Sequence, residues 1–273
     1  MIIKENFHTH TTLCDGKESA EQMVLAALEK GFTALGFSGH SYTHFDTSYC
    51  MSKEDSRRYV DQIRELKEKY RERIKLYVGI EQDFYSTEPT DAYDYAIASV
   101  HYLLKDGIYY PVDESEEIFL QSLREGFQGD YLQYAKAFFG TVGQIAKRSD
   151  VDFVGHFDLL TKFNEGSKHF DLWDRRYLSY AVEAIECLCK ADIPFEVNTR
   201  GMYRGLRSEP YPSLPLLKEI KMRNGRVVIS SDSHDTASLG YCFEKVEQTL
   251  RELGFSSVLL WREGGFIEKG IRI

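Results

Sequence analysis

The chain has 273 residues, 34 of them basic and 43 acidic, giving a net charge of −9 with ordinary hydrophobic (42%) and charged (28%) shares. That balance argues against a nonspecific nucleic-acid binder or a membrane-surface protein, and the length suits one large α/β core, a single domain over 1–273, better than two ordinary domains. Five cysteines without regular spacing form no disulfide framework. The start of the chain lacks a charged leader, and no apolar run approaches the ~18 residues of a membrane span, so a cytoplasmic protein with reduced thiols is expected.

Along the chain, apolar runs alternate with helical patterns, and six of the eight histidines close apolar runs. The run Ile2–Phe7 predicts a first strand, followed by His8 and His10. Ser19 can cap a helix through Lys30, with Gly31 ending it. Phe32–Gly39 predicts a strand ending at His40, Ser52–Arg73 a charged amphipathic helix, and Ile74–Ile80 a strand with Glu81 at its end. A short acidic segment then leads to Tyr95–Val100, closed by His101.

The stretch from Lys105 to about Asp150 is long for one connection. It carries helical patterns at about Ser115–Glu125 and Gln128–Arg148, and Gly107–Asp113 reads as a lid, a substrate wall or a packed surface insertion. Val151–Gly155 predicts the strand that ends at His156. Helix Asp171–Lys190, strand Pro194–Asn198, helix Pro212–Arg223 and strand Val227–Ser231 follow, the last running into Asp232 and His234. Helix Ala237–Leu253 and a short apolar run, Ser257–Leu260, precede a charged tail. Alternating elements whose strands lack strict period-two polarity imply a parallel sheet covered by helices, and seven or eight such units close most naturally into a barrel. In a parallel barrel the C-terminal strand ends share one rim, where active sites lie.

Imidazole is the commonest metal ligand. His8 and His10 stand two residues apart, so on a strand they point the same way, about 6.5–7 Å apart along the chain, within reach of one ion. Asp232 and His234 repeat that spacing. Glu81 ends an apolar strand, where a carboxylate is costly to bury unless paired or coordinated, and a carboxylate can bridge two ions. Asp15, in Cys14-Asp15-Gly16, reads on composition as a turn residue and is also a candidate ligand. The candidates His8, His10, Asp15, His40, Glu81, His101, His156, Asp232 and His234 are too many for one ion. They suit two or three divalent transition-metal ions with nitrogen and oxygen ligands, such as zinc, manganese or iron.

The segments His8-Thr9-His10, Gly39-His40, Gly79-Ile80-Glu81, Ser99-Val100-His101, Gly155-His156 and Ser231-Asp232-Ser233-His234 resemble, in order, the motifs of the PHP (polymerase and histidinol phosphatase) family. The resemblance implies a distorted (β/α)7 TIM-like barrel with a trinuclear metal site at its C-terminal rim. It implies one ion on His8, His10, Glu81 and Asp232, a second on Glu81, His101 and His156, and a third on Asp15, His40 and His234. Some members carry histidine where this chain has Asp15. Within the family the chain is most similar to stand-alone histidinol-phosphate phosphatases, through Thr11–Gly16, Ser99–Tyr102, Val112–Glu117 and Glu196-Val197-Asn198-Thr199-Arg200-Gly201.

That branch implies metal-dependent hydrolysis of L-histidinol phosphate, a small phosphorylated metabolite, by attack of a metal-bridged hydroxide, with Glu81, Asp232 and His234 as the catalytic set. Arg200 and Lys162 are candidate phosphate grips and His44 a candidate substrate contact. Arg204 and Arg207 read as solvated loop charges, and His169 as a surface residue. The proton donor to the leaving alkoxide is left open among His44, Asp15 and a metal-bound water. Phe45, Tyr49, Tyr102, Tyr109 and Tyr110 are candidates to stack an imidazole. The competing readings are a phosphoesterase of the same scaffold acting on a nucleotide, a nucleic-acid end or phosphotyrosine, and a metal-dependent amidohydrolase. Against the last, no lysine ends a mid-barrel strand where a carbamylated ligand would sit.

Overall fold

The computed structural model describes residues 3–271; Ile2, the first residue of the expected first strand, lies outside the described residues. Seven parallel strands form one sheet in the order β1 (Glu5–Asn6), β2 (Ala34–Phe37), β3 (Lys75–Asp83), β4 (Tyr95–Ser99), β7 (Phe153–Val154), β8 (Phe195–Asn198) and β9 (Val227–Ser230). The last strand meets the first just beyond their ends, where Thr9 pairs with Ser233. There His10 N donates to Ser233 O (2.8 Å) and Ser233 N to His8 O (3.0 Å). Those two bonds close the sheet into a barrel at the rim that carries the histidines.

Helices cover the outside, α1 (Ala20–Glu29), α2 (Lys53–Tyr70), α3 (Glu116–Phe127), α4 (Tyr131–Gln144), α5 (Arg175–Lys190), α7 (Leu214–Met222) and α8 (Phe243–Glu252), while the single turn α6 (Arg200–Tyr203) stands at the rim after β8. Local chemistry sets several boundaries. Ser19 and Gln22 form a reciprocal capping box at α1, and Ser52 caps α2 through Asp55 N. Gln128 and Gly129, both at positive φ, separate α3 from α4. The helix expected over Ala237–Leu253 starts only at Phe243, because Gly240 (φ 70°) and Cys242 (φ 58°) turn the chain the wrong way for a helix.

Tyr95 fills the barrel interior: its hydroxyl donates to Phe7 O (2.7 Å) and Phe37 O (3.1 Å), tying β4 to the ends of β1 and β2. Gly79 makes room for it, since a Cβ there would lie 2.2 Å from the Tyr95 ring.

Two regions depart from the expected pattern. The stretch after His101 opens with an antiparallel hairpin, β5 (Tyr102–Lys105) and β6 (Ile108–Pro111), before α3. The charged tail is a strand: β11 (Gly265–Gly270) folds back on β10 (Ser257–Arg262) through Gly264 at φ 87°. This hairpin seals the N-terminal mouth of the barrel. Trp261 packs on Tyr95 (5.5 Å between ring centres), Phe266 on Phe153 (5.9 Å), and Arg262 forks onto Glu5 at 2.6 and 2.8 Å. Among the described residues no helix is long and apolar enough to cross a membrane.

Candidate active site

The C-terminal strand ends bring all nine expected donors to one rim. Glu81 stands at the centre and is buried, as are His8, His10, His40, His101, His156 and Asp232. β3 runs to Asp83, three residues past Ile80, so Glu81 lies inside the strand, paired with Ile97, and not at its end. Its two oxygens face different histidines. Oε2 lies 3.1 Å from His8 Nε2, 3.5 Å from His10 Nε2 and 3.0 Å from His40 Nδ1. Oε1 lies 2.9 Å from His156 Nε2 and 3.4 Å from His101 Nε2, and accepts from Ser99 Oγ at 2.6 Å. Gly155 permits that last contact, because a Cβ there would sit 2.3 Å from Ser99 Oγ.

Asp232 completes the inner group at 3.2 Å from His10 Nε2 and 3.6 Å from His8 Nε2. Asp15 is the outer carboxylate, its side chain 34% exposed, at 3.0 Å from His234 Nε2 and 3.6 Å from both His40 Nε2 and His10 Nδ1. The turn residue Asp15 thus joins the cluster. Among the described residues three groups have donor atoms within 4.8 Å of one another: His8, His10 and Asp232; His10, Asp15, His40 and His234; and His40, Glu81 and His101. Asp232 (φ 46°) and His156 (φ 23°) both hold left-handed backbone, a strain that is unusual for such residues and is retained where side-chain aim matters.

A test of fit comes from unsatisfied atoms. His8 Nε2, His10 Nε2, Glu81 Oε2 and Asp232 Oδ1 are buried and make no hydrogen bond, yet they form a ring of alternating nitrogen and oxygen with edges of 3.1, 3.5, 3.2 and 3.6 Å. Donors each about 2.0–2.2 Å from a shared ion lie roughly 3–3.6 Å apart. Buried polar atoms left unpaired at such spacing suit a cation between them.

Electrostatics agree with the geometry. Burial opposes charge on Glu81, but His8, His40 and His101 hold its carboxyl well below the ordinary range, and His8, His10 and His234 do the same for Asp232. Burial, reinforced by His234 and His40, pushes His10 down to about 3, so its ring stays a neutral donor.

Above this floor lies a cavity of about 260 Å³, walled by Tyr49, Tyr102, Lys162, Arg200, Arg204 and Tyr211 among others. Arg200 begins α6, its backbone N donating to Asn198 Oδ1 (2.8 Å), and its Nη1 is buried without a partner. Lys162 lines the cavity and donates to Asp113 O (2.6 Å) and Oδ2 (2.8 Å). His44 is exposed and not among the cavity-lining residues; its ring packs on Phe45 and Tyr109. Phe45 and Tyr109 stack on each other (3.9 Å, 9°), and Tyr110 packs on Phe127, which leaves Tyr49 and Tyr102 as the candidate aromatics facing the cavity. Hairpin β5–β6 is therefore a wall, held to the 41–51 segment by that stack and by the Tyr102–Asp46 hydrogen bond.

Two expectations need correction. Arg207 is buried, donating to Thr161 and the Glu209 and Pro210 carbonyls with its guanidinium 4.7 Å from the Tyr211 ring; carbonyls from two segments replace water around it. His169 is mostly covered and contacts Glu116 at 2.5 Å. Sequence reasoning assigned no role to Glu196, Asp83 or Ser99, which surround the donors. Glu196 sits inside the apolar run Pro194–Val197, and the burial argument applied to Glu81 would have found it.

Together the fold and donor set define a distorted TIM-like barrel carrying metal-binding groups at its C-terminal rim. The chain belongs to the PHP domain family, whose profile matches residues 6–200. A Bacillus subtilis histidinol-phosphatase is 27% identical over 267 residues, covering 88% of this chain and 97% of its own length. A Deinococcus radiodurans protein named as a probable histidinol-phosphatase is 28% identical over 264 residues, covering 92% and 94%. A solved structure from Listeria monocytogenes shares the fold with a TM-score of 0.77 at 24% identity, covering 88% of this chain and 99% of that one. The Lactococcus lactis histidinol phosphate phosphatase, solved with zinc, L-histidinol and phosphate, matches with a TM-score of 0.66 at 19% identity, covering 98% and 100%.

Proposed function

We propose that this chain is a metal-dependent histidinol-phosphatase that hydrolyses L-histidinol phosphate to L-histidinol and phosphate. The observation that carries the reading is the ring of four unsatisfied donors, His8, His10, Glu81 and Asp232, beneath a cavity into whose wall Arg200 brings an unpartnered guanidinium nitrogen. Curated relatives with that activity, aligned over nearly their full lengths, support the substrate. The whole chain acts as one catalytic domain, since the seven strands share one sheet and one hydrophobic core runs from Ile3 to Ile271.

The inner ring would hold one ion; Glu81, His101 and His156 would hold a second; and Asp15, His40 and His234 would hold a third. Divalent transition-metal ions there, zinc, manganese or iron, would supply Lewis-acid charge to the phosphoryl group and acidify water. Glu81 presents one oxygen to each of two histidine sets and fixes their separation. Asp232 and His234, just beyond β9, supply one donor to the inner ring and one to the outer group. Arg200 binds a phosphate oxygen, and Lys162, held against Asp113, adds positive charge on the same wall. His44 takes no part in this binding set. Tyr49 and Tyr102 face the organic half of the substrate. The partner is a small phosphorylated metabolite, and no nucleic-acid or membrane contact is part of the mechanism. The location is cytoplasmic.

The test is a panel of phosphate monoesters, including L-histidinol phosphate, assayed with metal-loaded and chelator-treated protein. The expected result is selective turnover of L-histidinol phosphate that is lost on chelation and restored by zinc or manganese. Turnover no faster than that of generic esters would overturn the substrate while leaving the phosphatase.

A further inference from the structure

We infer that Glu196 is the positioning residue that couples the ion subsites of this centre, an inference that rests on reading the rim as a metal site. Its side chain is fully buried, and four donors from four residues converge on it. Oε1 accepts from His8 Nδ1 at 2.5 Å and from Ser230 Oγ. Oε2 accepts from the backbone N of His156 at 2.8 Å and from Asn198 Nδ2 at 2.9 Å. Every neighbour has a hydrogen to give, so the position calls for a group that only accepts. A carboxylate meets that demand, whereas an amide of the same shape turns one end into a donor facing donors.

The first consequence is a tautomer. With its Nδ1 hydrogen directed at Glu196, a His8 ring that binds a cation would do so through the lone pair of Nε2, the atom that faces Glu81 Oε2 (3.1 Å) and Asp232 Oδ1 (3.6 Å). A carboxylate behind a metal-ligating histidine acts in this way, fixing the ring and raising its basicity.

The second consequence is reach. The His156 N–H held by Glu196 belongs to the residue at φ 23°, whose ring meets Glu81 Oε1 at 2.9 Å. Asn198 Nδ2, held by the same carboxylate, also contacts Asp232 Oδ2 at 3.1 Å. One side chain on β8, the strand between β7 and β9, therefore fixes His8 and Asp232 on one side and His156 on the other. The bond to the His156 N–H offsets the strain of the left-handed backbone that aims that ring.

Glu196→Gln tests this, with metal uptake as the readout. Zinc affinity is measured by competition with a chromogenic chelator, retained ions by elemental analysis, and melting temperature with and without zinc. The expected result is an affinity about 10–100-fold lower than wild type, fewer ions retained, and a smaller zinc-induced rise in melting temperature. Ser230→Ala removes one donor but leaves the carboxylate, and should keep affinity within about threefold. Should Glu196→Gln not fold, Asn198→Ala removes the arm from Glu196 to Asp232, along with the Asn198 bond to the Arg200 backbone N, and should lower the number of tightly held ions.

Zinc affinity and stoichiometry unchanged in Glu196→Gln, or in Asn198→Ala in its place, would overturn the inference. A merely structural role predicts a lower melting temperature without zinc and an undiminished zinc-induced rise, which also counts against it. Wild-type protein that takes up no metal defeats the site reading and this inference together, whereas equal loading of wild type and Glu196→Gln defeats this inference alone.

Discussion

The two ends of the barrel are built on opposite terms. At the N-terminal mouth, β10–β11 presses Trp261 and Phe266 onto Tyr95 and Phe153, and the charged pair Arg262–Glu5 is satisfied by a two-pronged contact. At the C-terminal rim, six histidines and three carboxylates crowd one another, with buried nitrogen and oxygen atoms left without hydrogen bonds. The apolar end supplies cohesion through area removed from water. The rim gives up cohesion to hold charge where an ion can reach it. The contrast teaches that substitutions at the two ends should be felt in different measurements: stability below, metal and turnover above.

The most severe break in that contrast should come from Glu81→Ala. Loss of the carboxylate that faces both histidine sets should lower kcat/KM at least about a thousand-fold and strip bound metal, as read by steady-state assay and elemental analysis. Full activity without bound metal would end the proposed mechanism. Trp261→Ala should do the reverse, removing about 3–5 kcal/mol of stability in urea unfolding while the folded fraction keeps its kcat/KM. A loss of metal affinity in that variant would mean the ends are not separable. Arg200→Ala should raise KM for the phosphate ester by roughly 10–100-fold, the loss of a charge-assisted contact of about 1.5–3 kcal/mol, with an unchanged unfolding curve. The mildest and most mixed effect belongs to Gly155→Ala. Its new methyl displaces Ser99 Oγ from Glu81, for which we expect about a tenfold fall in kcat and a stability loss of about 1–3 kcal/mol. A normal kcat would show that the Ser99 contact is dispensable.

Much of this was legible from residue order. A histidine closing a strand-like run states both its element and its end, so the rim and all nine donors could be gathered before any coordinates. Asp15 shows where local reading stops: its composition reads as a turn, the family resemblance is what marked it as a ligand, and the contact with His234 brings it into the cluster. Arg207 misled for a related reason: loop composition suggests water around a guanidinium, but Thr161 and the Glu209 and Pro210 carbonyls surround it instead. The tail from Gly265 to Gly270 has few apolar residues to announce a strand, and its pairing partner lies across a two-residue turn. Positive φ at Cys242 is invisible in composition, which is why α8 starts later than its apolar pattern.

Closure of the barrel also orders events in time. His8 waits for Glu196, 188 residues further along, and Asn6 for Ser231, 225 residues further along. During synthesis the first histidine pair therefore emerges long before the strands that orient it, and contacts of such span form late because loop closure must precede them. A half-made chain offers His8 and His10 as two loose imidazoles without Glu196 or Asp232 behind them. On the proposed metal-binding reading, the site is complete only when the ninth strand has docked.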